Sequence, residues 1–116
     1  MNNEFATYQT LALRTAAPMD AVDDLMHAAL GLSGEAGEFA DCIKKHLAYG
    51  QPLDKANAAE EIGDILWYCA LACNALDVQL ADVAAMNIEK LRKRYPARYQ
   101  HDMAAFRADK QLEIQG

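Results

Sequence analysis

A chain of 116 residues, 53% hydrophobic and 24% charged, has room for one core and no second domain. Its formal net charge of −6, with no Lys/Arg run long enough to track a phosphate backbone, excludes a nucleic-acid-binding module. The longest apolar run, residues 65–73, is about half of what a bilayer span needs. The N-terminus MNNEFATYQT lacks the basic start and apolar stretch of a signal peptide, so no membrane partner and a cytoplasmic location are expected.

Glycine is sparse, and Pro18, Pro52 and Pro96 punctuate segments of helical periodicity, with no run of strand-like alternation. The expected class is all-α, a four-helix bundle-like single domain over residues 1–96, followed by a tail at 97–116 whose structure the sequence leaves open. The first helix is expected at residues 4–16, with Phe5, Tyr8, Ala12 and Thr15 on one stripe, ended by Pro18. Asp20 is the expected N-cap of a second helix over residues 20–48. At about 100° per residue, Leu25, Ala29, Leu32, Ala36, Phe39, Ala40, Ile43 and Leu47 gather on one side as its core stripe. His27, Gly31, Gly34, Glu38 and Lys45 gather on the opposite side, flanked by Glu35 and Asp41. Each interior glycine costs roughly 1 kcal/mol relative to alanine. Such a glycine either admits another helix or leaves bare backbone beside a ligand, and periodicity does not choose between the two.

A third helix is expected from the N-cap Asp54 to residue 76. Its second half, ILWYCALAC, is apolar all round and asks for burial on every side. A domain this small cannot cover it alone, so a homo-oligomer is expected in which this segment meets a partner chain. Cys42, Cys69 and Cys73 form neither a disulfide framework nor a zinc spacing and read as buried thiols. The fourth helix is expected at residues 79–95, stopped by Pro96. Leu80, Val83 and Leu91 form its apolar stripe. Asn87, Lys90 and Arg94 continue that stripe, which turns them inward towards a partner.

Two acidic pairs stand out: Glu35 and Glu38 in GEAGE, and Glu61 and Asp64 in EEIGD. Each pair is spaced i, i+3 and shares a helix face. The turn-forming residues 49–52 lie between the pairs, so a helix, a turn and a returning helix bring four carboxylates together. Like charges gathered this way repel unless a cation sits among them. Hard oxygen ligands suit Mg²⁺, with Mn²⁺ as a substitute. Lys90 and Arg94 would then neutralise phosphate oxygens, and Asn87 would position a sugar or a phosphate. A lone E-x-x-E is most often a solvated acidic face; the combination is what points to a site. Neither pair carries His at its fourth position, which argues against a redox di-metal bundle.

The segments GLSGEAGEFADCIKK, AAEEIGDILWYCALACNALD and NIEKLRKRYP resemble the MazG-like nucleotide pyrophosphohydrolases of the all-α NTP pyrophosphatase superfamily. The likeness covers about residues 8–96. The family motif, E-x-x-E then E-x-x-D, is matched by Glu35, Glu38, Glu61 and Asp64, and its N-x-x-K-x-x-x-R element by Asn87, Lys90 and Arg94. The resemblance implies a Mg²⁺-dependent enzyme that hydrolyses nucleoside triphosphates, deoxy or non-standard ones included, to monophosphate and pyrophosphate, with cleansing of the nucleotide pool as its role. It implies that the four acids bind the metal and act in catalysis, and that chains assemble as dimers or tetramers. One carboxylate orients the attacking water, while metal and Lys90/Arg94 stabilise charge developing on the phosphates. Which acid is the general base stays open, with Glu60 and Asp41 in reserve.

Tyr68, two turns from Glu61 on the same face, either stacks on a nucleobase or packs as a core or interface residue. Trp67 reads as packing. His27, roughly 16 Å from Glu38 along the helix, lies at a phosphate-to-base distance, although a lone histidine is more often structural. Lys45 either reaches phosphate or pairs with Asp41. A second enzymatic reading is phosphoribosyl-ATP pyrophosphohydrolase activity. A reading from another class is a non-catalytic helical oligomer keeping the acids as a metal or partner site. Its mark would be a lost acid or a lost cationic stripe, and this sequence has lost neither.

Overall fold

The computed structural model describes residues 4–96. They form four α-helices, α1 (Glu4–Leu13), α2 (Ala21–Tyr49), α3 (Lys55–Ala75) and α4 (Leu80–Arg94), with no strand among the described residues. The class is all-α. The expected tail, residues 97–116, lies outside the described residues. The chain divides into two compact units, Met1–Leu80 and Ala81–Gly116. The first holds α1, α2 and α3, and the second all of α4 but its first residue.

The first helix is shorter than its periodicity implies. Beyond Leu13 the backbone tightens into i→i+3 bonds, Arg14 N–H to Leu11 O, Thr15 N–H to Ala12 O and Ala16 N–H to Leu13 O. The Thr15 hydroxyl also donates to Ala12 O at 2.7 Å, a local side-chain bond that competes with the helix ladder. Of the expected stripe, Ala12 is buried and Tyr8 half-buried, while Phe5 and Thr15 are exposed and Gln9 is buried in their place. The Gln9 amide donates to Val78 O at 3.4 Å and accepts from Leu80 N–H at 2.9 Å, which ties down the chain leaving α3.

The ends of α2 and α3 follow local chemistry. Asp20 and Asp54 each accept a backbone N–H from three residues on, at 2.9 and 3.0 Å, satisfying donors that a helix start leaves orphaned. Gly50, at φ +68°, takes the left-handed conformation that closes α2. The short connection returns α3 antiparallel to α2. Cys42 Sγ reaches Asp54 O at 3.7 Å near the loop, and Tyr68 lies over Gly31 at the far end.

The expected core stripe of α2 is not its inner face. Leu25 and Leu47 are 40% and 74% exposed, and Ala29, Ala36 and Ala40 are exposed as well, with Leu32, Phe39 and Ile43 half-buried. The buried positions are Asp24, Ala28 and Cys42. Two close-packed antiparallel helices select small side chains at the contact, whatever the most hydrophobic arc. On α3 the apolar half is the best covered part of the chain: Ala70, Leu71 and Cys73 are buried and residues 65–69 half-buried. Ala12, Ala70, Cys73 and Leu80 form the core, with Tyr8, Leu66, Trp67 and Cys69 packed against it. Burial pushes the Cys69 and Cys73 thiols up, as inert structural cysteines require. In α4, Leu80 is buried, Val83 and Leu91 are partly exposed, Arg94 is half-buried, and Asn87 and Lys90 are exposed. Among the described residues no single helix is long and apolar enough to cross a membrane.

Candidate active site

The α2–α3 pair brings three of the four acids together. One carboxylate oxygen from each of Glu35, Glu38 and Glu61 lies within 4.8 Å of the others. Glu35 Oε2 and Glu61 Oε2 are buried and have no hydrogen-bond partner. An ionised carboxylate is an acceptor only, so neither oxygen can satisfy the other without a proton or a cation between them. The Glu61 carboxyl is accordingly pushed up. The largest cause is the Glu35 carboxyl within hydrogen-bonding reach, followed by burial and the Glu35 charge; Glu38 pulls the other way and the Asp64 charge adds a further push. Asp64 is outside the tight group and opens onto an adjoining hollow. Glu60, one residue from Glu61, is exposed.

Two hollows flank the acids. One, of about 430 Å³, is lined by Gly34, Gly37, Glu38, Asp41, Cys42, Lys45, Asn57 and Glu61. The other, of about 330 Å³, is lined by Glu35, Asp64, Trp67 and Tyr68. Glu38 and Glu61 thus border a polar hollow, and Glu35 and Asp64 an aromatic one. Lys45 pairs with Asp41 at 3.3 Å with both side chains more than half exposed, and it also faces the polar hollow. Of the two readings of Lys45, the pairing with Asp41 is the one the structure contains.

The two glycines opposite the apolar stripe have different surroundings. A methyl at Gly31 would overlap the Tyr68 ring, so Gly31 exists to admit that ring. At Gly34 a methyl would meet nothing within 4 Å, and its bare backbone borders the polar hollow. Tyr68 in turn belongs to a cluster of three rings. Its centroid lies 5.0 Å from that of Trp67 and 5.5 Å from that of His27, edge to face, and His27 and Trp67 are 6.2 Å apart. Such contacts favour the edge-to-face arrangement through the ring quadrupoles.

Asn87, Lys90 and Arg94 lie on α4, in the second unit. Asn57 and Trp67 are additions that sequence reasoning did not assign to a site. Tyr8 packs against the core, and its phenol is pushed up by burial first, then by Cys69 and the Asp64 charge. Asn57 had a legible signal, since it lies one turn before Glu61 on the same face of α3. Trp67 had none, because its place depends on how α1 meets α3.

The family model of the MazG nucleotide pyrophosphohydrolase domain matches residues 25–99. The Gene 37 protein of Mycobacterium phage L5 is 34% identical over 95 residues, which span 78% of this chain and 83% of the phage protein. No solved structure matches significantly.

Proposed function

The chain belongs to the MazG nucleotide pyrophosphohydrolase family, and on that premise we propose that it hydrolyses nucleoside triphosphates, deoxy or non-standard ones included, to monophosphate and pyrophosphate with Mg²⁺, cleansing the cytoplasmic nucleotide pool. The observation that carries this reading is the group Glu35, Glu38 and Glu61, with oxygens within 4.8 Å of one another and two of those residues' oxygens buried without a donor. Three carboxylates at that spacing are favourable only around positive charge. A hard, all-oxygen donor set fits Mg²⁺ or Mn²⁺, with Asp64 as the fourth acid. When bound, the divalent cation supplies positive charge against the triphosphate.

The remaining work falls to the chain. One of the four carboxylates holds the attacking water and takes its proton. Lys45, at the polar hollow, offers charge to phosphate oxygens; from their sequence element, Lys90 and Arg94 of α4 are assigned the same task and Asn87 the positioning of a sugar or a phosphate. Tyr68, beside Glu35 and Asp64, borders the hollow suited to the base.

The same proposal includes a homo-oligomer, a dimer or a tetramer. Its support is the stripe Val22, Met26 and Leu30 on α2, spaced four residues apart and 72%, 61% and 69% exposed. Leu71 is the single large side chain fully buried among the described residues, so one chain supplies only a thin core. The joining surface is therefore better placed on α2 than on the apolar half of α3.

The test is a panel of ribo-, deoxyribo- and modified nucleoside triphosphates with Mg²⁺ and detection of released pyrophosphate. Glu38→Gln and Glu61→Gln should each lower release by about 100-fold or more. Unchanged turnover in both would remove the acids from the mechanism.

A further inference from the structure

The aromatic hollow leads back to α1, which lies outside the matched residues 25–99. Trp67 has one polar atom, its indole N–H, and that atom is held from the last turn of α1 and the turn that follows it. Nε1 donates to Thr15 Oγ1 at 2.9 Å and to Ala12 O at 3.1 Å. The Thr15 hydroxyl spends its own proton on Ala12 O at 2.7 Å, so its lone pairs are directed to the indole and the hydrogen-bond sense is fixed. A tryptophan has two side-chain torsions, and a tethered N–H with Tyr68 packed edge to face at 5.0 Å restrains both. The ring held this way lines the 330 Å³ hollow together with Tyr68, Glu35 and Asp64. The turn that cuts α1 short at Leu13 is what presents Ala12 O and Thr15 Oγ1 side by side.

We propose that Trp67 is a wall of the nucleobase subsite and that Thr15 is its positioning residue, which makes α1 part of substrate recognition. This rests on the nucleotide-hydrolysing reading above. A base carries a π-face that an aromatic wall recognises through stacking or edge contact, whereas the triphosphate is drawn to charge. Base recognition thus falls to the hollow that Glu35 and Asp64 share with the two rings, and phosphate chemistry to the grouped acids and the polar hollow. A ring preset by α1 loses little freedom on binding, so the latch acts on substrate affinity and leaves the chemical step alone.

Trp67 is the sole tryptophan of the chain, so its emission reports on this wall without interference. The full chain, with Mg²⁺, is titrated with α,β-imido analogues of the nucleoside triphosphates and, separately, with inorganic pyrophosphate. The analogues should change Trp67 emission and pyrophosphate should not. Thr15→Val keeps the shape and loses the acceptor. It should raise KM by about 3- to 10-fold, the loss of one positioning hydrogen bond, with kcat within about two-fold and a red-shifted resting emission. Thr15→Ser should restore both, and Trp67→Phe should raise KM in the same way. Pyrophosphate release with no analogue-dependent emission change, or an unaltered KM in Thr15→Val and Trp67→Phe, overturns the proposal while leaving the hydrolase reading intact. A full emission change with pyrophosphate alone overturns it also. Absence of both nucleotide binding and pyrophosphate release overturns the two together.

Discussion

Replacing Gly31 by alanine opposes two effects whose sizes are known separately. In a helix interior the change is worth about 1 kcal/mol in favour of alanine. Against it stands the Tyr68 ring, which occupies the space of the added methyl. That ring is not a flexible chain end. It is packed against His27 and Trp67, and Trp67 is tethered to α1. Overpacking of this kind costs about 1–3 kcal/mol, so Gly31→Ala should be destabilised by up to about 2 kcal/mol net. Gly63 supplies the internal control. It also lies within a helix, on α3, and a methyl there meets nothing within 4 Å, so Gly63→Ala should gain the propensity term without the steric one. The difference between the two variants isolates the steric cost, about 1–3 kcal/mol, or a Tm gap of roughly 4–8 °C per kcal/mol in a small domain. Thermal melts at one protein concentration measure it, since assembly makes Tm concentration-dependent. Equal Tm values for Gly31→Ala and Gly63→Ala would refute the claim that Gly31 is there to admit Tyr68.

The raised Glu61 carboxyl gives the metal-free protein a defined pH dependence. A carboxyl raised above its ordinary 4.5 contributes stability that is present below that value and lost as pH rises through the raised one. The cation relieves the same repulsion, so melts in EDTA and in excess Mg²⁺ should diverge as pH climbs above 4.5; a gap that is constant or shrinks would contradict it. Light scattering coupled to size exclusion should give the mass of a dimer or tetramer, and Leu30→Glu should lower it towards one chain. A wild-type monomer at micromolar concentration would remove the exposed α2 stripe as an assembly surface.

Much of this protein is written locally. Asp20, Asp54, Gly50 and the prolines bound helices by capping chemistry that acts within a few residues, so α2, α3 and α4 were legible to within a residue or so. The two acidic pairs were legible for the same reason: i, i+3 spacing on a helix is geometry that the chain carries with it, and a short loop can only return α3 alongside α2. What hydrophobic periodicity could not decide is which arc of α2 faces α3. The richest apolar arc, through Leu25, Ala29 and Ala36, stays exposed, because close helix contact rewards the small residues Ala28, Gly31 and Cys42 instead. Tertiary packing also divided the acids, grouping Glu35, Glu38 and Glu61 and leaving Asp64 on the aromatic side. The hydrogen bonds from Trp67 to Ala12 and Thr15 span 55 and 52 residues, and those of Gln9 span 69 and 71. No local pattern encodes bonds of that range. They exist only once α1 has settled against α3, and they turn the expected packing residue Trp67 into one wall of a hollow beside the acids.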